Sequence, residues 1–426
     1  MDTLLCATCT TQYFALGQVP CLFPAGVQHK SIWQHQAATM QAQGRQGLAQ
    51  VQEAVSRYDL TDRTRERLID TFATLEASQA VTLALLAKAG IEPSGNPQLA
   101  QMNAGDLAEY YDLILRDWAW PTEENNAALT RITHILSDRV KPQRILMLGA
   151  GAGRLSWDLH CEYRPEISVA LDSNPLLLIV ADTLIKQRRS FELSEFKTFP
   201  QMEKKLNQTW AIEPPVDEGN LRDSWFALGA NAWNPPLQPS SFDLIVTPWF
   251  IDVNGGDVRD TIGLISHLLA PGGRWVNSGP LLFTRHLPLE QKYHSDEIRD
   301  FIRLSGFELE QESVTQVDHL DSPLEVRKQH EQLWTFSAKA PKNPLKQAFQ
   351  PGAEIPWLIM HHLSIPQYAY QPSQQHPLIH AILDLIDGQR SINEISLLIA
   401  PHIPEGITPK DAVVTLMGQI VSEMAS

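Results

Sequence analysis

Arg144-Ile-Leu-Met-Leu-Gly-Ala-Gly-Ala-Gly-Arg154 is the stretch that decides the fold. Ile145 to Leu148 form a short apolar run of the kind found in a buried parallel strand. Gly149, Gly151 and Gly153 then break the run, and helix-compatible sequence follows over 155–159. A strand that ends in a glycine turn and feeds a helix is the outline of a nucleotide-cofactor site. The glycines let backbone approach a ligand, and the helix N-terminus offers free N–H groups. Several cofactor classes share this glycine spacing. The next apolar run, Ile167 to Leu171, ends in Asp172, about twenty residues beyond the glycines, where a carboxylate can take both ribose hydroxyls of an adenosine. NAD and S-adenosylmethionine both fit that geometry. The mid-chain position and the single copy of the unit argue against NAD, and a glycine turn without a ligand is the plainer alternative.

Around this stretch the chain alternates strand and helix. Strands are expected at 144–148, 167–171, 224–228, 242–247, 273–278, 307–314 and 332–338, with crossover helices at 153–161, 174–189, 257–270 and 294–305. The pattern predicts an open, seven-stranded α/β sheet whose ligands sit outside the carboxyl ends of the strands. Leu269-Ala-Pro-Gly-Gly-Arg-Trp-Val276 reads as a helix stop, a tight turn and a strand start. The last two strands could close the sheet as an antiparallel hairpin, an order typical of class I methyltransferases. The fourth strand runs into Pro248-Trp-Phe-Ile-Asp252, which puts Asp252 just past its carboxyl end, where a charge is costly without a partner.

Upstream, residues 31–140 are rich in Gln, Ala, Leu and Arg and read as helical, with a turn cluster at Gly90-Ile-Glu-Pro-Ser-Gly-Asn-Pro97. Arg116, inside the aromatic run Tyr110 to Trp118, is not explained by core packing and could face a carboxylate-bearing cofactor. Residues 1–30 hold Cys6 and Cys9 at zinc-knuckle spacing, with Cys21 and His29 nearby. A structural zinc site needs four ligands, and the second cysteine pair is missing. The segment resembles half of a zinc ribbon and is read as a degenerate hairpin, with no metal site assigned. Residues 341–426 begin with a linker, then give helix, glycine turn, cap and helix, with Ser391 and Glu394 spaced as a capping box. They resemble small winged-helix PqqD-like modules, which would give them a peptide partner; a plain helical dimerisation or lid domain is the alternative. The expected organisation is therefore 1–30, 31–140, 141–340 and 341–426.

The 426 residues suffice for several domains. The net charge of −15 argues against general nucleic-acid binding and against adhesion to anionic membrane. No apolar run has transmembrane length, no signal pattern opens the chain, and four cysteines make no disulfide framework. A soluble, cytoplasmic protein is expected.

Several motifs in order resemble the carnosine N-methyltransferase family: Leu115-Arg-Asp-Trp118, Gly149-Ala-Gly-Ala-Gly-Arg-Leu-Ser-Trp157, Trp249-Phe-Ile-Asp252, Leu269 to Asn277, and Gly279-Pro-Leu-Leu-Phe283. The resemblance covers roughly residues 107–340. It implies a class I methyltransferase fold, S-adenosylmethionine as cofactor, and methylation of an imidazole nitrogen in a histidine derivative or histidine-containing peptide. On the cofactor side it implies Arg116 and the turn Gly149, Ala150, Gly151, Gly153 and Arg154 at the methionine part. Asp172 and Ser173 would meet the ribose, Asn231 and Ala232 the adenine, and Pro248 would replace a cofactor-contacting cysteine. On the acceptor side it implies Asp252 as the aspartate that binds the imidazole, with Phe250, Asn277, Thr284, His286 and His330 around the substrate.

The sequence departs from the family where Leu113 replaces a glutamine, Phe283 and Thr284 replace a tyrosine and a histidine, and Gln329-His330-Glu331 replaces a tyrosine cluster. Those changes put carnosine itself in doubt. They leave open another acceptor, such as a thiol or an amine, and a non-catalytic scaffold that keeps the fold. The expected chemistry is an in-line displacement in which positioning supplies much of the rate. A neutral imidazole, with a reference pKa of about 6.5, attacks through one nitrogen while a carboxylate accepts the N–H of the other.

Overall fold

The computed structural model describes residues 4–5, 12–23, 26–94, 110–136, 141–197, 207–216, 219–342 (other than 234, 255, 286 and 326–327), 365, and 377–417 (other than 388, 404–407 and 411). Its centre is one ten-stranded sheet. The apolar run of the glycine stretch is β4 (Arg144–Leu148), buried from its second residue onward. It pairs in parallel with β5 (Ile167–Asp172) on one side and β9 (Phe242–Pro248) on the other. β8 (Trp225–Gly229) adds to β5, and β10 (Leu269–Gly279) adds to β9, again in parallel. The closing hairpin, β11 (Glu308–His319) and β12 (Gln329–Lys339), enters with β12 antiparallel between β10 and β11. The order β8-β5-β4-β9-β10-β12-β11 is the seven-stranded class I methyltransferase sheet expected from the sequence.

Three further strands come from the N-terminal segment. β1 (Leu4–Leu5), β2 (Gln12–Leu16) and β3 (Val19–Cys21) form an antiparallel meander, and β3 pairs in parallel with β8 through Cys21 and Gly229. The meander covers what would otherwise be the open edge of β8. Gly229 permits the approach, since a Cβ there would lie 2.7 Å from the Cys21 sulfur. Cys21 is therefore a packing residue. Burial pushes its thiol up to about 12. Cys6, Cys9 and the His29 side chain lie outside the described residues.

The helical region is α1 (Gly26–Val55), α2 (Asp62–Lys88), α3 (Tyr111–Trp118) and α4 (Glu123–Leu136). With α5 (Arg154–Tyr163) and α6 (Pro175–Ala181) they bury one face of the sheet, where Met147, Val246 and Val276 point. The other face, carrying Leu146, Ile245 and Trp275, packs on α7 (Val258–Leu268) and α8 (Ser295–Leu304). The period-two alternation of the strands divides the two cores. The helix expected over 174–189 is shorter. Asn174 caps α6 by accepting from Leu176 and Leu177 N–H, and a π-turn follows over Asp182–Lys186.

A hairpin not foreseen in the sequence, β6 (Phe191–Phe196) with β7 (Asn207–Ile212), lies beside α2. Its buried Glu195 accepts from the indoles of Trp120 and Trp210, both at 2.9 Å, and from the Ser322 hydroxyl, with Lys197 at 3.2 Å. Those donors make the buried charge tolerable. Toward the C-terminus, α9 (Pro377–Leu383) and α10 (Ile392–Ile399) share a third apolar core, and Ser391 with Glu394 forms the expected capping box. Among the described residues no helix is long and apolar enough to cross a membrane.

Candidate functional site

The carboxyl ends of β4, β5, β8 and β9 open onto a cavity of about 630 Å3, a size typical of small-molecule sites. Its floor is the glycine turn. Gly149, Gly151 and Gly153 all have positive φ (+70°, +59° and +86°), which only glycine adopts freely. Gly149 and Ala150 N–H both donate to the Leu171 carbonyl at 3.0 Å. Gly151 N–H donates to Asp172 Oδ2 at 2.8 Å, and Asn174 N–H to Asp172 Oδ1 at 2.8 Å. Burial pushes the Asp172 carboxyl above its ordinary range, and the N–H groups of Asn174 and Gly151 oppose this. Gly149 and Gly153 also have a steric reason. A Cβ at Gly149 would meet the Phe250 ring at 3.0 Å, and one at Gly153 would meet Ala181 Cβ at 2.9 Å. A Cβ at Gly151 would meet nothing nearer than Asp117 at 3.9 Å, so the turn there faces open cavity.

The cavity brings together most of the cofactor-side candidates: Arg116, Gly149, Ala150, Gly151, Asp172, Ser173, Asn231, Ala232 and Pro248. Arg116 is paired with Asp117 at 2.7 Å. Gly153 and Arg154 are not in the wall. Gly153 is the close-packing point between α5 and α6, and Arg154 turns away to Asp158 at 2.8 Å and to the Trp118 ring at 5.4 Å.

The far wall is built by α4, the end of β9 and β11. Glu124, Asn125, Ala128 and Arg131 come from α4, Val317 and His319 from β11. Trp249 stands at positive φ (+50°), a costly conformation for a bulky residue. It is held there by its N–H to the Ser278 carbonyl at 3.0 Å and by stacking on His319, with ring centroids 4.0 Å apart. Gly279 permits this turn, because a Cβ would lie 3.1 Å from the Trp249 nitrogen. His319 Nδ1 is 3.3 Å from Glu124 Oε1, close enough for an ion pair but misaligned for a hydrogen bond.

Asp252 does not itself form the wall, whereas Phe250 and Val253, on either side of it in sequence, do. Asp252 is only 1% exposed. Its Oδ2 accepts from Leu282 N–H at 2.8 Å, and its Oδ1 is buried with no partner. Burial raises its carboxyl from 3.8 to about 6, and the negative charge of Glu331 adds to the shift. Glu331 is itself buried, with Oε2 unpartnered.

The other acceptor-side candidates fall elsewhere. Asn277 is fully buried between strands and outside the wall, accepting from the Thr247 hydroxyl at 3.0 Å and donating to the Trp334 carbonyl at 3.3 Å. Thr284 lies outside the wall and contributes a backbone N–H to the Asp252 carbonyl at 3.3 Å. His286 lies outside the described residues. His330 is opposite Asp318 on the β11–β12 ladder and pairs with it at 2.6 Å, exposed to solvent. Alternation turns the neighbouring Glu331, opposite Val317, to the cavity side. Sequence reasoning also missed Trp249, Glu124, Arg131 and His319 in the wall, and Phe23, Trp33 and Gln36 from the N-terminal segment.

The carnosine N-methyltransferase family model matches residues 96–341. Carnosine N-methyltransferase of Rattus norvegicus is 27% identical over 223 residues, 47% of this chain and 54% of that protein. The Dictyostelium discoideum protein of the same name is 28% identical over 174 residues, 38% of this chain and 34% of that one. The chain thus spans about half the length of the curated relatives it matches, or less. Among solved structures, the N-methyltransferase NodS of Bradyrhizobium japonicum, in complex with S-adenosyl-L-homocysteine, has a TM-score of 0.37 at 13% identity, covering 55% of this chain and 98% of that one. Phosphoethanolamine N-methyltransferase 2 of Haemonchus contortus has a TM-score of 0.36 at 13% identity, covering 59% and 61%.

Proposed function

The chain belongs to the carnosine N-methyltransferase family, and on that premise we propose that it is an S-adenosylmethionine-dependent N-methyltransferase acting on an imidazole nitrogen of a histidine derivative or histidine-containing peptide. The observation that carries the acceptor half is the buried, unpartnered Oδ1 of Asp252 beside the cavity. A buried carboxylate oxygen without a donor is unfavourable unless a ligand supplies one. A ring N–H is such a donor.

The open backbone at Gly151 and the carboxylate of Asp172 fit an adenosine cofactor, and Arg116 fits the carboxylate at its other end. When bound, S-adenosylmethionine supplies a methyl group on a positively charged sulfur. The protein's part is positional and electrostatic. Phe250 and Trp249, both in the wall, would present flat apolar surface to the acceptor ring, and Asp252 would accept its N–H, leaving the lone pair of the other nitrogen free to attack. Nitrogen–carbon bond formation would be matched by cleavage of the methyl–sulfur bond, whose electron pair goes to sulfur and leaves neutral S-adenosylhomocysteine; the ring would become cationic beside an ionised carboxylate in a water-poor setting, where that charge pair is worth more than in water. The proton stays on the ring or passes to Asp252. This role needs Asp252 ionised, hence a pH above about 6. We place this activity in the cytoplasm, in keeping with the acidic, cysteine-poor composition. The test is transfer of a labelled methyl group from S-adenosylmethionine to histidine, histidine dipeptides and histidine-containing peptides. Label on the imidazole of one of these is expected. Label appearing only on amine or thiol acceptors would refute the assignment.

A further inference from the structure

Arg131 is a cavity-wall residue for which the reading above has no task. It lies on α4 seven residues after Glu124 and three after Ala128, so the three share one helix face, and all three line the cavity. The other basic side chains of the wall have partners among the described residues: Arg116 is paired with Asp117 at 2.7 Å, and His319 faces Glu124 at 3.3 Å. Arg131 makes no hydrogen bond or ion pair with any described residue, and its Nε is buried without a partner. Glu124 attracts it only at longer range, while burial works against its charge.

A guanidinium stays charged even when partly buried and carries five donors in a planar fork that matches a carboxylate. Leaving such a donor unmet inside a protein is unfavourable, and a bidentate anion is what would satisfy it. The cofactor's carboxylate is already provided for by Arg116 on α3. Arg131 stands instead on α4, the helix that packs against β11 and β12, which carry His319 and Glu331. The anion therefore belongs to the acceptor.

We propose that Arg131 anchors a carboxylate of the methyl acceptor, so that the site selects imidazole compounds bearing a free carboxylate over otherwise identical ones lacking it. This rests on the imidazole-methyltransferase reading. It assigns substrate selection to a side chain distinct from the group that holds the ring.

The test is calorimetric titration of the full chain, saturated with S-adenosylhomocysteine, with a histidine dipeptide and with its decarboxylated counterpart. The wild type should bind the dipeptide at least tenfold more tightly than the decarboxylated compound. In Arg131→Met that preference should vanish, with the dipeptide weakened at least tenfold and S-adenosylhomocysteine affinity unchanged; Arg131→Lys should restore part of the preference. A wild type that binds both compounds equally overturns the anchor while leaving the imidazole reading intact. Equal discrimination in Arg131→Met, or loss of S-adenosylhomocysteine affinity in that variant, overturns it too, the latter by assigning Arg131 to the cofactor. Binding of neither compound to the wild type overturns the imidazole reading and the anchor with it. If Arg131→Met fails to fold, equal binding of the two compounds by the wild type still overturns the anchor, and a preference left unchanged in Arg131→Lys overturns it as well.

Discussion

Asp252→Asn should make the protein more stable and inactive at the same time. Asp252 is 1% exposed, and burial lifts its carboxyl from 3.8 to about 6. At about 1.4 kcal/mol per pH unit, the lift of about two units corresponds to roughly 3 kcal/mol. The folded-state pKa lies above the unfolded one, so the folded protein holds the proton more tightly between about pH 4 and pH 6. Stability is therefore lost as pH rises through that window, and above it the wild type carries the full penalty of a buried ionised carboxylate. Asparagine keeps an oxygen for Leu282 N–H and carries no charge. Thermal unfolding of the two proteins should coincide near pH 4 and diverge by pH 8, with Asp252→Asn the more stable by about 3 kcal/mol. Turnover at pH 8 should fall by about a hundredfold or more while cofactor affinity is kept. A stability difference that does not change with pH, or wild-type turnover in the variant, would refute the reasoning.

Glu331→Gln removes the like charge that helps raise Asp252, so the acidic limb of the wild-type pH–rate profile, expected near 6, should move to lower pH; an unchanged or higher midpoint speaks against the pairing. Gly153→Ala combines φ +86° with a Cβ 2.9 Å from Ala181, and should destabilise the protein by about 1–3 kcal/mol in a denaturation series. Asn277→Ala removes the amide that links the Thr247 hydroxyl to the Trp334 carbonyl across the sheet, and thermal unfolding should show a loss of about 1–3 kcal/mol. His330→Ala should leave turnover and cofactor affinity at wild-type values, because the side chain faces solvent beside Asp318.

The glycine turn, the parallel strands around it and the acid at the end of β5 can be read from the sequence because each rests on local chemistry: apolar runs, glycine spacing and turn residues. The N-terminal meander could not be read the same way. Its pairing with β8 joins residues two hundred positions apart in the chain, at the single register point Cys21–Gly229, and nothing local marks it. The exchange of His330 for Glu331 is a matter of parity. A histidine looks like chemistry in a sequence, but alternation along β12 turns its neighbour to the site. Asn277 misleads differently. Its rim position is right, yet its amide completes hydrogen bonds between strands, which only the packed sheet reveals. Arg131 and Glu124 fall on one helix face with Ala128, but which face meets a cavity depends on the packing of α4 against β11 and β12.

The most direct test of the whole account is a single-turnover experiment with methyl-labelled S-adenosylmethionine and a histidine dipeptide, comparing wild type with Asp252→Asn, each first shown to bind the cofactor. The account predicts label on an imidazole nitrogen with the wild type and almost none with the variant. Equal transfer by both proteins, or label on the dipeptide's amine instead of its ring, would contradict it.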